Sequence, residues 1–226
     1  MTPELVKYLS DFVTERRVEQ FNRVLEYRTR YASVILEDIY QPHNASAVLR
    51  SCDCLGIQDV HIIENNNKFN VEDGVALGSS KWLTLHKYPP QKNNTISVLE
   101  SMKQQGYRIV ATTLHTKSID LDEFDIENGK FALLFGTELT GLTPEAISMA
   151  DEYIKIPMFG FTESFNISVS AAIILHFLTH KLFRSSVSWK LSEEEIIALK
   201  YEWLMKTIKQ PELIVKRFEE NYKIKN

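Results

Sequence analysis

Six apolar, β-branched stretches of strand length punctuate the middle of this chain, at 33–39, 59–64, 82–88, 107–114, 131–136 and 153–158, and helical patterns separate several of them. Ala45, Val48, Leu49 and Cys52 form a one-sided stripe that ends at Gly56, and residues 96–105 form a second pattern that ends at Gly106. Parallel strands need a crossover between them, and a helix is the usual one. Strand, helix, strand repeated in this way predicts an α/β fold: a parallel sheet with helices over its faces.

The ends of the chain are helical. Thr2-Pro3 supplies a cap and a first-turn proline, and Leu5, Leu9, Phe12, Val18, Phe21 and Leu25 recur at helical intervals, which predicts a helix over the first thirty residues. Residues 166–183 are apolar on nearly every side, the pattern of a buried helix. Ser192 with Glu195 reads as a capping box opening another helix, and Pro211 as the start of the last. A chain of 226 residues is near the size at which one core stops growing. The expected organisation is a helical extension at 1–31, a catalytic-size α/β domain at 32–184 and a second helical extension at 185–226.

The net charge of −4 is unevenly spread: residues 1–31 sum to +1, residues 181–226 to +3 and residues 32–180 to −8. Basic flanks suit a polyanion, and solvated helix surfaces produce the same pattern. Two cysteines, Cys52 and Cys54, cannot build a disulfide framework. With Glu4, Lys7 and Asp11 near the start and no long apolar run, the expectation is a protein of the reducing cytoplasm, without membrane or metal.

Familiar catalytic signatures fail residue by residue. The turn after the first strand is Tyr40-Gln41-Pro42-His43-Asn44, so the glycine fingerprint of dinucleotide binding is missing. Gly136 and Gly141 have phosphate-loop spacing, but Leu142-Thr143 follows where Lys-Ser/Thr is required. His176 and His180 are spaced as zinc ligands on a helix, yet Phe177 replaces the catalytic glutamate, and core or helix-end histidines are the simpler reading.

Three segments are harder to explain by structure alone. In Pro42-His43-Asn44-Ala45-Ser46-Ala47-Val48-Leu49-Arg50, Asn44 suits a helix cap, and Arg50 either pairs with Asp53 or faces a ligand. Leu134-Phe135-Gly136-Thr137-Glu138-Leu139-Thr140-Gly141-Leu142 follows a strongly apolar strand with two glycines and a carboxylate. Ile156-Pro157-Met158-Phe159-Gly160 leads to Ser164-Phe165-Asn166-Ile167-Ser168-Val169-Ser170, where small polar residues gather at a helix start with free backbone N–H groups.

In this order and separation the three segments resemble the signature motifs of the TrmH/SpoU family of RNA ribose 2′-O-methyltransferases in the SPOUT class, over residues 31–178. With helices added at both ends, the chain most resembles the family's tRNA (guanosine-2′-O-)-methyltransferases, which act in the D-loop. The resemblance implies a SPOUT α/β-knot fold with a C-terminal trefoil knot, a homodimer, S-adenosyl-L-methionine as cofactor and tRNA as substrate. Methylation of ribosomal RNA or another tRNA nucleotide, or RNA binding without catalysis, are the alternatives it leaves open.

Carried over position by position, the resemblance places the catalytic set at Asn44, Arg50, Glu138, Ser164 and Asn166, and the cofactor-binding groups at Thr112, Gly136, Ile156 and Phe165. Lys103 matches a family lysine implicated in tRNA contact. The segment 78–82 also resembles one of the family's, with no role assigned. His180 and Leu182 stand where the family usually has two arginines, with Lys181 and Arg184 nearby. RNA phosphates are expected to meet Arg16, Arg17, Arg23, Arg28 and Arg30 at one end, and Lys181, Arg184 and Lys190 at the other.

Overall fold

The computed structural model describes residues 2–114, 117–138 and 140–225; Leu139 of the second motif lies outside them. In chain order the elements are α1 (Pro3–Ser10), α2 (Glu15–Leu25), β1 (Ala32–Glu37), α3 (Pro42–Cys54), β2 (Asp59–Ile63), α4 (Asp73–Ala76), β3 (Thr84–Tyr88), α5 (Asn94–Gln104), β4 (Arg108–Thr112), β5 (Ile119–Asp120), β6 (Phe131–Phe135), α6 (Pro144–Met149), β7 (Glu152–Lys155), α7 (Ile167–Phe183), α8 (Glu193–Thr207) and α9 (Pro211–Lys225). The chain divides into two compact units, Thr29–Trp189 and Met1–Arg28 with Lys190–Asn226. No helix among the described residues is long and apolar enough to cross a membrane.

Within Thr29–Trp189, seven strands form one all-parallel sheet in the order β3-β2-β1-β6-β4-β7-β5. The period-two geometry of a strand sorts the side chains. Val34, Leu36, Val110, Leu133 and Phe135 pack on one face with Val48 and Leu49 of α3 and Leu175 and Leu178 of α7. Ile35, Ile109, Ala111, Ala132 and Leu134 pack on the other with Leu99 and Met102 of α5 and Ala146 of α6. Both faces are therefore covered, which is why β1 and β6 read as continuous apolar runs.

The sequence expectation of one helix over the first thirty residues is corrected to two. Val13 and Thr14 are adjacent β-branched residues that lose side-chain freedom in a helix, and Thr14 is extended (φ −67°, ψ 147°) where α2 begins. In that unit Phe21 meets the Trp203 ring edge-on at 5.4 Å, and the buried Arg28 guanidinium lies 5.6 Å from the same ring. Ser192 and Glu195 make the expected reciprocal capping box at the start of α8.

Two further expectations change. β5 is a two-residue strand on β7, too short to show alternation. Helix α7 is not buried all round: Ala171, Ile174, Leu175, Leu178 and Leu182 are buried, but Val169, Ile173 and Phe177 are 43%, 36% and 39% exposed. His176 and His180 lie on the exposed side with stacked rings 6.0 Å apart, so neither is a core histidine, and only His180 is in the last turn of the helix.

A second pair of histidines lies in the sheet, His61 buried and His86 partly exposed. His61 and His86 are register partners on β2 and β3, stacked at 4.4 Å; His61 Nδ1 lies 2.9 Å from the Tyr88 hydroxyl, and His86 Nε2 lies 2.9 Å from Asp59 Oδ1. Burial, with help from the neighbouring His86, pushes the His61 pKa down to about 4 from 6.5. A base whose folded pKa is depressed binds fewer protons folded than unfolded, so its contribution is intact above about pH 6.5 and is lost as pH falls towards 4. Urea unfolding is expected to show stability falling by roughly 2–3 kcal/mol between pH 7 and 4.5 from this group. His61→Phe should flatten that part of the profile; an unchanged slope would show that the proton goes elsewhere.

Candidate functional site

The site is built where β1, β4, β6 and β7 end, the edge at which ligands of open parallel sheets bind. Pro42 takes the first turn of α3 and Gln41 its cap position, so Asn44 lies inside the first turn and is not the cap that the sequence suggests. A proline with its fixed φ and missing N–H starts a helix without a side-chain cap. The Asn44 amide is thereby released for tertiary contacts.

Those contacts join all three motifs. Asn44 is buried; its Nδ2 donates to Gln41 Oε1 at 2.8 Å and Glu138 Oε1 at 2.6 Å, and its Oδ1 accepts from Asn166 Nδ2 at 3.1 Å. Asn166 Nδ2 also donates to Glu138 Oε1. Asn166 caps α7 as expected, its Oδ1 accepting from Ser168 N at 2.9 Å and Ser168 Oγ at 2.6 Å. Residues 94 and 28 positions from Glu138 thus converge on one carboxylate oxygen. Glu138 Oε2 accepts no hydrogen bond among the described residues.

Beside this cluster a cleft of about 370 Å³ opens over the ends of β4, β6 and β7. Thr112, Gly136, Ile156 and Phe165 line it, together with Glu138 and Ser164. Its loop is a tight reversal: Thr137 N donates to Gly141 O at 2.9 Å, Gly141 N donates to Thr137 O at 3.0 Å, and Gly141 has φ +69°. A methyl group on Gly136 would overlap the backbone of Gly141 and Leu142, so only glycine permits this approach. Apolar walls at Ile154, Ile156 and Phe165 beside backbone groups at three strand ends match a ligand with an aromatic ring and polar edges. A second cavity, about 280 Å³, shares Thr137, Glu138, Thr140 and Ile167 with the cleft.

Arg50 does not join the cluster. It is exposed on α3, lines neither cavity, and has no hydrogen bond or ion pair among the described residues, with Asp53 or any other group. Arg16, Arg23 and Arg184 are exposed, and Arg17 bonds Gln20 at 3.1 Å. Other residues expected to face RNA are engaged within the fold. Arg28 is buried against Trp203, which corrects its assignment to phosphate contact. Arg30 pairs with Asp59 at 3.1 Å, Lys103 with Asp151 at 2.6 Å, and Lys181 Nζ donates to the Phe124 carbonyl at 2.6 Å.

Sequence reasoning passed over the props of the site. Glu37, buried at the end of β1, accepts from Thr143 N at 3.0 Å and from the Thr95 and Thr143 hydroxyls at 2.7 Å each, which fixes the exit of the Gly136 loop. Asp38 turns the chain with φ 56° and accepts the backbone N–H groups of Asn65, Asn66 and Asn67 at 3.0, 2.7 and 2.8 Å. Burial raises the pKa of the Asp38 carboxyl, but these donors outweigh it and hold it below the usual value. The available signals were a lone Glu-Asp pair closing an apolar strand and a run of three asparagines.

A profile of the SpoU rRNA Methylase family matches residues 31–176. A tRNA (guanosine(18)-2′-O)-methyltransferase of Borreliella burgdorferi is 44% identical over 206 residues, which cover 91% of this chain and 92% of that protein. The crystal structure of the Aquifex aeolicus TrmH/SpoU tRNA modifying enzyme superposes with TM-score 0.76 at 33% identity, covering 86% of this chain and 98% of that one. The SpoU methyltransferase AviRb of Streptomyces viridochromogenes, in complex with the cofactor AdoMet, shares the fold with TM-score 0.60 at 22% identity, covering 72% of this chain and 65% of that one.

Proposed function

The chain belongs to the SpoU rRNA Methylase family, and on that basis we propose that it methylates the ribose 2′-hydroxyl of a guanosine in the D-loop of tRNA, using S-adenosyl-L-methionine. The observation that carries this reading is the cleft over the strand ends sharing the Glu138 wall with the Asn44–Asn166 cluster. The residues fit the cofactor: Gly136 brings backbone close to a ligand, and Ile156 and Phe165 offer apolar walls for an adenine ring. When bound, that cofactor supplies a methyl group on a cationic sulfur.

The protein's own task is alignment and proton handling. Thr112, Gly136, Ile156 and Phe165 hold the cofactor, and Ser164 shapes its wall. Asn44 and Asn166 fix the Glu138 carboxylate at the boundary between the two cavities. Arg50 meets the phosphate and the 2′-oxygen of the target and stabilises negative charge as it develops there. Arg50 acts there as a charge and a two-pronged donor, and the proton released from the 2′-hydroxyl passes to another acceptor, such as solvent water at the open rim of the cleft. Arg16, Arg17 and Arg184 add phosphate contacts, while Lys103 and Lys181 reach RNA only by leaving Asp151 and the Phe124 carbonyl.

The reading includes a cytoplasmic homodimer, a C-terminal trefoil knot and the division into 1–31, 32–184 and 185–226. The exposed Val169, Ile173 and Phe177 face of α7 supports a dimer, since a second copy would cover it. Phe177→Glu should then sediment as a folded monomer where the parent sediments as a dimer; equal masses would remove the interface.

The direct test supplies the protein with labelled S-adenosyl-L-methionine and tRNA and maps methylated riboses by mass spectrometry of nuclease fragments. A methyl group on a D-loop guanosine ribose is expected. Methylation of ribosomal RNA alone would move the substrate, and cofactor binding without transfer to any RNA would make the chain a non-catalytic relative.

A further inference from the structure

The second cavity lies outside the cleft assigned above to the cofactor, yet it abuts that cleft through Thr137, Glu138, Thr140 and Ile167. We propose that it takes the purine base of the nucleotide being methylated, with Tyr40 stacking on the base and the amide oxygens of Asn66 and Asn67 accepting hydrogen bonds from its Watson–Crick edge. The inference rests on the methyltransferase reading above.

Covalent geometry makes the first part of the case. The 2′-oxygen must reach the rim of the cleft, and the base hangs from the adjacent sugar carbon, so the base must enter a space that borders the cleft. At about 280 Å³ the second cavity lies below the roughly 300 Å³ where drug-sized pockets begin, which suits a single planar base. Ile39 and Ile167 are its buried apolar residues, and Tyr40, 73% exposed, stands at the same cavity. An exposed aromatic ring beside an apolar slot is how proteins hold unstacked RNA bases.

The second part is the wall made by Asn66 and Asn67. Asp38 accepts three successive backbone N–H groups from this segment, which holds it against β1. Asp38 also orients both amides: Asn66 Nδ2 donates to Asp38 Oδ2 at 3.1 Å and Asn67 Nδ2 to the Asp38 carbonyl at 3.0 Å. These bonds use one N–H of each amide and set its orientation, and the two amide oxygens have no partner among the described residues. Acceptors suit guanine, whose N1 carries a hydrogen, and oppose adenine, whose N1 presents a lone pair. The positive φ of Asp38, uncommon outside glycine, is maintained by the same bonds.

The experiment uses the full chain and tRNA transcripts carrying guanosine, inosine or adenosine at the mapped position, with kcat/KM for 2′-O-methylation and cofactor affinity measured side by side. Guanosine should be accepted best, inosine, which keeps N1–H but lacks the 2-amino donor, less well, and adenosine should be rejected at least about tenfold. Asn66→Ala with Asn67→Ala should shrink the guanosine-to-adenosine ratio by about tenfold or more. Tyr40→Ala should lower kcat/KM on guanosine transcripts by about tenfold or more, with Tyr40→Phe restoring it. Cofactor affinity should stay unchanged in every variant. If the asparagine variants unfold, the exposed Tyr40 pair decides. Variants with normal kcat/KM and normal base discrimination overturn the proposal, as does rejection of inosine as firm as that of adenosine. A wild-type protein that methylates no ribose overturns the methyltransferase reading and this proposal with it, whereas an active wild type with indifferent variants overturns this proposal alone.

Discussion

Gly136→Ala is expected to weaken S-adenosyl-L-methionine binding by about ten- to a hundredfold and to lower thermal stability measurably. The added methyl group would occupy the space of the Gly141 carbonyl and the Leu142 amide, both backbone and so unable to rotate aside. Relief requires opening the Thr137–Gly141 reversal, whose two hydrogen bonds at 2.9 and 3.0 Å set the rim of the cleft. Overpacking of this kind costs about 1–3 kcal/mol, and the upper part of that range corresponds to the affinity loss stated. Gly160→Ala is the control, because its nearest neighbour to an added methyl is Thr162 N at 3.9 Å. Calorimetric titration with the cofactor reads both variants. If Gly136→Ala binds as the parent does, the loop is not part of the cofactor site.

Gly136 also shows what a sequence can and cannot disclose. Its place after an apolar strand marked it as a point of close approach, but the partner, Gly141 five residues on, is visible only in the folded loop. Asn44, Glu138 and Asn166 were each legible as polar residues at the end of an apolar element, but their union on one carboxylate oxygen depends on β1 lying beside β6 and on α7 packing against α3. The role of Asn44 within its helix was misread because Pro42 supplies an alternative way to begin one. Helix α7 defeated the pattern for another reason: with apolar residues on every side, periodicity carries no information about which face lacks a partner. Glu37 and Asp38 were overlooked because their donors, Thr95, Thr143 and Asn65 to Asn67, lie on other segments, and pairing across segments leaves no periodic trace.

Arg50→Ala should separate binding from chemistry more cleanly than any other change at this site. The side chain is exposed on α3, lines neither cavity and has no partner among the described residues, so its removal should leave stability and cofactor affinity as they are. An arginine kept exposed and unpaired on a helix whose Asn44 is locked into the site has its charge free for a partner outside the fold. RNA supplies one, with a phosphate for the guanidinium and a 2′-oxygen that gains negative charge as its proton leaves. Loss of one such donor typically costs about 10²–10³ in turnover, and that is the fall expected in kcat. Arg50→Lys should recover little, because a single ammonium cannot bridge phosphate and sugar oxygen as a planar fork does. Single-turnover methylation, read beside cofactor titration, distinguishes the outcomes. Normal transfer by Arg50→Ala would remove it from the reaction, and a parallel loss of cofactor affinity would make it a binding residue. Its exposure gives the assignment a further consequence: added salt should weaken RNA binding by the parent more steeply than by Arg50→Ala, because one phosphate contact fewer releases fewer counterions.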